Sequence, residues 1–435
     1  MSVLVRGGVV AGFSPPAALR ADLRIRDGEV VERGPDLPPV EGETLLDASG
    51  CLVTPGLVCA HTHLYSTLAR GMPPPERAPG NFLEILERIW WRLDRALDGE
   101  LVSLSARAGL LDALACGVTT IIDHHASPEA IHGSLARIGA ETERAGVRAV
   151  LAYEVTDRNG RDGARAGIEE HRAALKAGQS ETLGILVGAH ASFTLSDETL
   201  GAAIELAREH GSGLHIHVAE DVADVEDAVE RGFRDPVERL ASLGGLGANT
   251  VLAHGVHLGE AAYKTIRDAG AWIVANPRSN MNNAVGTGPF ALHPATRALG
   301  TDGIGADLLA ELRALYWKST ETGAGISPEG ALGYLAGGQR LAGRLLGVDL
   351  ESLTVGAAAD LVVFDYPSPT PVTAANFASH CVFGLDSRHV RDVLVAGRPV
   401  VLGRRLLTLD RGRILSEARA GARRLWERMR TEDLT

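Results

Sequence analysis

The sequence predicts an α/β fold: a (β/α)8 TIM barrel carrying a small composite β-sandwich built from both termini. Three observations predict it. Short β-rich runs recur eight times between residue 56 and about residue 345, each closing on polar or histidine-bearing positions. Segments of helical periodicity separate those runs, the alternation a barrel of parallel strands requires. The two flanks share another texture, short strands punctuated by glycine turns.

In chain order, residues 1–54 supply "SVLVRGGVVAG", "LRIRDGEVVERG" and "TLLDASGCLV". The eight barrel runs are "LVTPGLVCAHTH", "VTTIIDHHA", "RAVLAYEVT", "LGILVGAHASF", "GLHIHVAE", "NTVLAHGVHL", "AWIVANPRSN" and "LGTDGIG". Helical segments such as "DETLGAAIELAREHG" end on a glycine stop signal. The first connection is the longest. Phe82, Leu86, Ile89, Trp90, Leu93 and Leu97 fall on one helical face, and a second helix is expected from Asp98 to Gly117. Trp90 and Trp91 read first as core packing and second as part of a roof over the barrel mouth. Residues 352–409 return to strand-and-turn texture, and "GRILSEARAGARRLWERMR" predicts a last helix. The expected division is 1–54 with 352–409 as the β domain, 55–351 as the barrel, and 410–435 as the terminal helix. A doubly wound open sheet is the alternative, but no G-x-G-x-x-G opens its first helix.

The bulk properties narrow the partners. A formal charge of −12 over 435 residues argues against nucleic acid and anionic membranes. Four cysteines without a C-x-x-C pair suit a reducing compartment. The start "MSVLVRGGVVAGFSPP" lacks a signal-peptide core, and no apolar run approaches the roughly 18 residues of a membrane span. The expectation is a cytoplasmic enzyme acting on a small molecule.

The histidines define a candidate site. On a strand, residues i and i+2 face one side, so His61 and His63 converge where the first barrel strand ends. The fifth run adds His215 and His217 with Glu220 three residues further, the sixth adds His254, and the eighth ends in Asp302. Neutral imidazoles plus a carboxylate form a donor set for zinc or a similar divalent ion. His124, His125, Glu154, Arg158 and Arg278 also stand at strand ends, as specificity residues or as loop caps and ion pairs. His132, His171, His210, His293, His380 and His389 lie off this pattern and are expected to be surface or packing residues.

"PGLVCAHTHLYSTLARG", "HIHVAED", "LAHGVHL", "NPRSNMNN" and "LGTDGIGAD" resemble the amidohydrolase superfamily, in its chlorohydrolase/aminohydrolase (ATZ/TRZ-like) branch. "DHHASP" and "YEVTDRNG" are similar to the SsnA-type aminohydrolases. The resemblance covers nearly the whole chain. It implies metal ligands at His61, His63, His217 and Asp302, a proton-shuttling Glu220, and His254 beside the attacking water. It also implies a homo-oligomer and a substrate contact at His190, with His125 a second candidate contact. His215 is the competing ligand on the fifth strand. Relatives with two metals bridge them through a lysine ending the fourth strand. Residues 183–193 contain no lysine, and Lys176 precedes them. One divalent ion per chain is therefore expected, zinc first, with iron and manganese as alternatives. The implied reaction is deamination of an amidine-like carbon in a purine, pterin, pyrimidine or triazine ring by a metal-activated water, with ammonia released. A chlorohydrolase or cyclic-amide hydrolase using the same site is the alternative, and a non-catalytic metal-binding scaffold the third reading.

Overall fold

The computed structural model describes residues 2–431. Eight parallel strands surround its interior: β1 Leu57–Thr62, β2 Val118–His125, β3 Arg148–Tyr153, β4 in two pieces, Leu183–Ile185 and Val187–Ala191, β5 Leu214–Val218, β6 Val251–His254, β7 Trp272–Ala275 and β8 Arg297–Leu299. β1, β2, β3 and the first piece of β4 form one sheet, and the second piece with β5 to β8 forms another. Two isolated parallel bridges link these half-sheets, Val155 with Ala189 and Thr62 with Asp302. Helices cover the outer faces, so nearly every strand residue is buried and the strands read as continuous apolar runs.

The sequence runs were broader than the strands they contain. "LVTPGLVCAHTH" divides at Gly56: Leu52–Pro55 belongs to a flanking sheet and only Leu57–Thr62 to the barrel. Glycine is needed at that junction because a Cβ there would lie 2.1 Å from Thr119 Oγ1. The eighth strand is "RAL", ahead of the expected "LGTDGIG", and Asp302 stands three residues beyond it.

The seam between β3 and β4 has its own fastening. A Cβ on Gly188 would sit 2.2 Å from the Tyr153 carbonyl oxygen, so the backbones meet only because residue 188 has none. His171, reaching in from the helix Gly160–Ala177, receives the amides of Tyr153 (2.9 Å) and Gly188 (2.8 Å) on Nε2 and donates from Nδ1 to the Gly167 carbonyl (2.8 Å). Burial holds its pKa down at about 4. The ring is a neutral clamp across the seam.

Strands from both ends of the chain share one seven-stranded sheet. Its order is Arg405–Leu406, Arg398–Leu402, Val390–Val395, Leu361–Phe364, Leu52–Pro55, Val9–Phe13, Pro16–Arg20. A four-stranded sheet of N-terminal strands packs against it, and Val3, Val5, Leu23 and Ile25 meet Val53, Leu361, Val363 and Leu394 in one apolar layer. The terminal helix runs Arg411–Thr431, and residues 432–435 of the expected 410–435 segment lie outside the described residues. The insertion after β1 folds as Phe82–Ile85, a π-helical turn Leu86–Trp90, and Trp91–Arg95. The following helix, Gly99–Ala115, starts at Asp98, whose carboxylate accepts from the Leu101 amide (2.9 Å).

Candidate metal centre and cavity

The expected site residues all arrive from the C-terminal ends of barrel strands, where barrel enzymes place their chemistry. His61 lies in β1 and His63 just past it; His217 lies in β5, His254 ends β6, and Asp302 follows β8. Ala219, His254 and Asp302 have left-handed backbones, with φ of 46°, 76° and 52°. For residues other than glycine this costs about 1–3 kcal/mol each, strain that persists only where the surroundings impose it. It falls at the turns that deliver Glu220, His254 and Asp302.

One ring nitrogen of each key histidine is already committed. His63 Nδ1 donates to the His124 carbonyl (2.5 Å), His217 Nδ1 to the His190 carbonyl (2.7 Å), and His254 Nδ1 to Asn280 Oδ1 (3.0 Å). His61 Nδ1 pairs with His215 Nε2 at 2.9 Å. These bonds turn Nε2 of all four rings towards one another, with His215 meeting His61 on its other ring nitrogen. His63 Nε2 lies 2.9 Å from Asp302 Oδ1 and 3.2 Å from His217 Nε2, and His61 Nε2 lies 3.6 Å from the same Asp302 oxygen. Two donor sets have all atoms within 4.8 Å of one another: His61, His217, His254 and Asp302, and His61, His63, His124 and His217. His61 and His217 belong to both. Lys176 is exposed on its helix, so no lysine reaches this centre from β4.

The cluster favours positive charge. Burial alone would raise the Asp302 carboxyl, but hydrogen bonds with His61 and His63 hold it well below the usual carboxylate range. Burial also works against a charged His63, yet the Asp302 carboxylate outweighs it and lifts that imidazole to about 9. Burial wins at His61, held at about 3, and at His217, held well below its ordinary value. Glu220 is partly buried, and the loss of surrounding water raises its pKa. It sits 3.6 Å from His254 Nε2 and accepts from Asn283 Nδ2 (3.1 Å).

Over this floor the insertion contributes Phe82, Leu86, Trp90, Trp91 and Asp94 to the cavity wall, with Phe193 opposite. Both tryptophans therefore face the cavity, and the core-packing expectation gives way to the roof. Arg158 lies over the Trp91 ring, 5.1 Å from its centroid, and is ion-paired with buried Asp94. Burial keeps the Asp94 carboxyl up at about 6 even against that guanidinium. Arg278 is likewise taken, its Nε donating to buried Glu311 (2.6 Å). Among the described residues lining the cavity there is neither lysine nor arginine.

His190 lines the cavity, with Nδ1 bonded to Thr194 Oγ1 (2.9 Å) and Nε2 3.8 Å from Glu154. His125 does not line it. Its ring is fully buried between Tyr65 and Tyr153, with Nε2 on Ser127 Oγ (2.8 Å), so the expected substrate contact is corrected to a packing role. Sequence reasoning missed the work of the helix Pro277–Asn282. Ser279 donates to Asp302, Asn280 orients His254, and Asn283, just past the helix, orients Glu220. The available signal was "RSNMNN", a polar run directly after a strand end.

Comparison with known proteins follows this geometry. The sequence profile of the amidohydrolase family matches residues 52–400. The chain belongs to the amidohydrolase family. This amidohydrolase is 30% identical to a 5-methylthioadenosine/S-adenosylhomocysteine deaminase from Desulforudis audaxviator, over 98% of this chain and 100% of that one. It is 27% identical to a 5'-deoxyadenosine deaminase from Methanosarcina mazei, over 98% and 99%. Among solved structures, a zinc-bound adenosine deaminase from Xanthomonas campestris superposes with a TM-score of 0.85 at 22% identity, covering 97% of this chain and 98% of that one. The zinc complex of the atrazine chlorohydrolase TrzN from Arthrobacter aurescens gives 0.83 at 22% identity, covering 97% and 100%. The TIM-barrel fold class stands on these superpositions. Membership makes the chain a hydrolase of carbon–nitrogen bonds. No described helix is long and apolar enough to cross a membrane.

Proposed function

We propose that this amidohydrolase is a metal-dependent aminohydrolase that removes the exocyclic amine of an adenine-type ring in an uncharged nucleoside or free base. The observation that carries the reading is the position of Glu220. It is a partly buried carboxyl, outside both donor sets, beside His254 and lining the same cavity as His63, His217 and Asp302. The whole-length likeness to deaminases of adenine nucleosides supports it.

The residues present fit a divalent cation. Nε2 of His61 and of His254 is buried without a hydrogen-bond partner among the described residues. His61, His63, His217 and Asp302 would hold the ion, zinc first among candidates and one per chain. Bound there, it would supply Lewis acidity that lowers the pKa of a water towards about 7. Asp302, free of protons in this setting, takes a proton from the attacking water. His254 Nε2, kept as an acceptor by the Asn280 bond, orients that water. Glu220 gives a proton to the ring nitrogen beside the attacked carbon and recovers one from the new hydroxyl as it becomes a carbonyl. The proton held by Asp302 leaves on the departing amine as ammonia. The aromatic roof stacks on a planar ring.

Among the described residues lining the cavity there is no lysine or arginine to pair with a phosphate or carboxylate on the substrate. The test is ammonia release from adenine, adenosine, 5'-deoxyadenosine, 5'-methylthioadenosine, S-adenosylhomocysteine and adenosine 5'-phosphate. Turnover is expected with the uncharged members and poor with the last two. Ammonia from none of them, with chloride released from a chlorinated triazine, would overturn the reading.

A further inference from the structure

Three buried polar atoms near the centre have no hydrogen-bond partner among the described residues: Nδ1 and Nε2 of His124 and Oε1 of Glu154. Neither residue has a part in the reaction set out above. Buried polar atoms left unpaired are uncommon, and each calls for an explanation. His124 is fully buried at the end of β2. A ring nitrogen of His124 lies within 4.8 Å of the donor atoms of His61, His63 and His217. Its Nδ1 is 3.6 Å from Glu154 Oε1, which also lies 3.2 Å from His63 Nδ1, whose proton is given to the His124 carbonyl. The His124 ring stacks on His215 (centroids 4.4 Å apart, 23° between planes). Its backbone carbonyl already holds His63.

A carboxylate behind an imidazole behind a cation is the usual way a ligating histidine is aimed. We propose that His124 is a fifth protein ligand of the same cation, one ring nitrogen bound to the metal and the other donating to Glu154. The proposal rests on the metal-dependent reading above. It accounts for all three unpaired atoms with one assignment. Four imidazoles and a carboxylate would give the ion, zinc included, five protein donors in place of the four of a tetrahedral site.

The test strips the full-length protein with a chelator and titrates it with Co²⁺ alone. It reads the dissociation constant by chelator competition and the coordination number by visible absorption. The parent should show the weak absorption of a five- or six-coordinate ion. His124→Ala should bind Co²⁺ at least about tenfold more weakly, with stronger absorption as the coordination number falls. Glu154→Gln should shift both readouts in the same direction by less. Unchanged affinity and spectrum in both variants would overturn the proposal while leaving the aminohydrolase reading intact. If His124→Ala does not fold, His124→Phe, which keeps a ring of similar shape without a nitrogen, takes its place, and an unchanged Co²⁺ affinity and spectrum there overturns it. A parent protein that takes up no Co²⁺ would instead overturn the aminohydrolase reading itself.

Discussion

The floor and the roof of the cavity are built on different principles. In the floor, the rings of His61, His63, His217 and His254 are each held by a second bond behind them, and two of those bonds run to backbone carbonyls of a neighbouring strand. In the roof, short helical pieces from one insertion present Phe82, Leu86, Trp90 and Trp91, and the Asp94–Arg158 pair ties the insertion to the loop after β3. The floor is arranged to fix atoms, the roof to cover a surface. The difference teaches that the reaction belongs to the strand ends and the choice of ring to the insertion, a division typical of barrel enzymes.

The largest expected effect breaks the floor. Asp302→Asn keeps the shape but removes the charge that gathers His61 and His63, so metal and turnover should be lost together. Metal analysis and an ammonia assay on one preparation check this, and a variant that retains its metal would remove Asp302 from the ligand set. Next comes Glu220→Gln, expected to keep metal and melting temperature while kcat falls roughly 10²–10⁴-fold, the scale of general acid–base catalysis. Metal loss in that variant would make Glu220 a ligand.

A third measurement separates the floor from the scaffold beneath it. His171 is held at about 4 in the folded protein against about 6.5 in an unfolded chain, so the unfolded state binds the extra proton between those values. Its stabilising share is therefore present above about pH 6.5 and lost as pH falls through 4, amounting to ~3 kcal/mol. His171→Gln should show a flatter fall in unfolding free energy from pH 6.5 to pH 4 than the parent. Equal slopes would mean the clamp does not couple to stability. The smallest effect belongs to the roof. Trp91→Ala should raise KM by about 3- to 10-fold, the worth of one aromatic contact, and leave kcat nearly unchanged. A fall in kcat matching the loss in kcat/KM would show that the roof shares in the chemistry.

The legible parts of the molecule were those whose periodicity survives in one dimension. The eight runs and the H-x-H pair could be read because strand geometry converts spacing directly into facing. Glu220, past the strand end and the left-handed turn at Ala219, was placed by family resemblance. His171 could not be read, because its function depends on β3 and β4 meeting at Gly188, a contact between segments with no shared pattern. Ser279, Asn280 and Asn283 were hidden for a related reason: their partners, Asp302, His254 and Glu220, come from other strands. His125 looked like a second strand-end contact because it adjoins His124, yet alternation along β2 turns neighbouring side chains to opposite faces.

The bonds behind His63 and His217 have a consequence for anyone moving this centre into another scaffold. What aims those two rings is the peptide carbonyl of His124 and of His190, which no codon change at those positions can delete. Grafting the side chains alone onto a foreign barrel would carry the ligands without their aiming device. The unit that must be transplanted is the stagger between adjacent strands, β1 against β2 and β4 against β5, and a host whose strands are offset by one residue would present the same histidines pointing elsewhere.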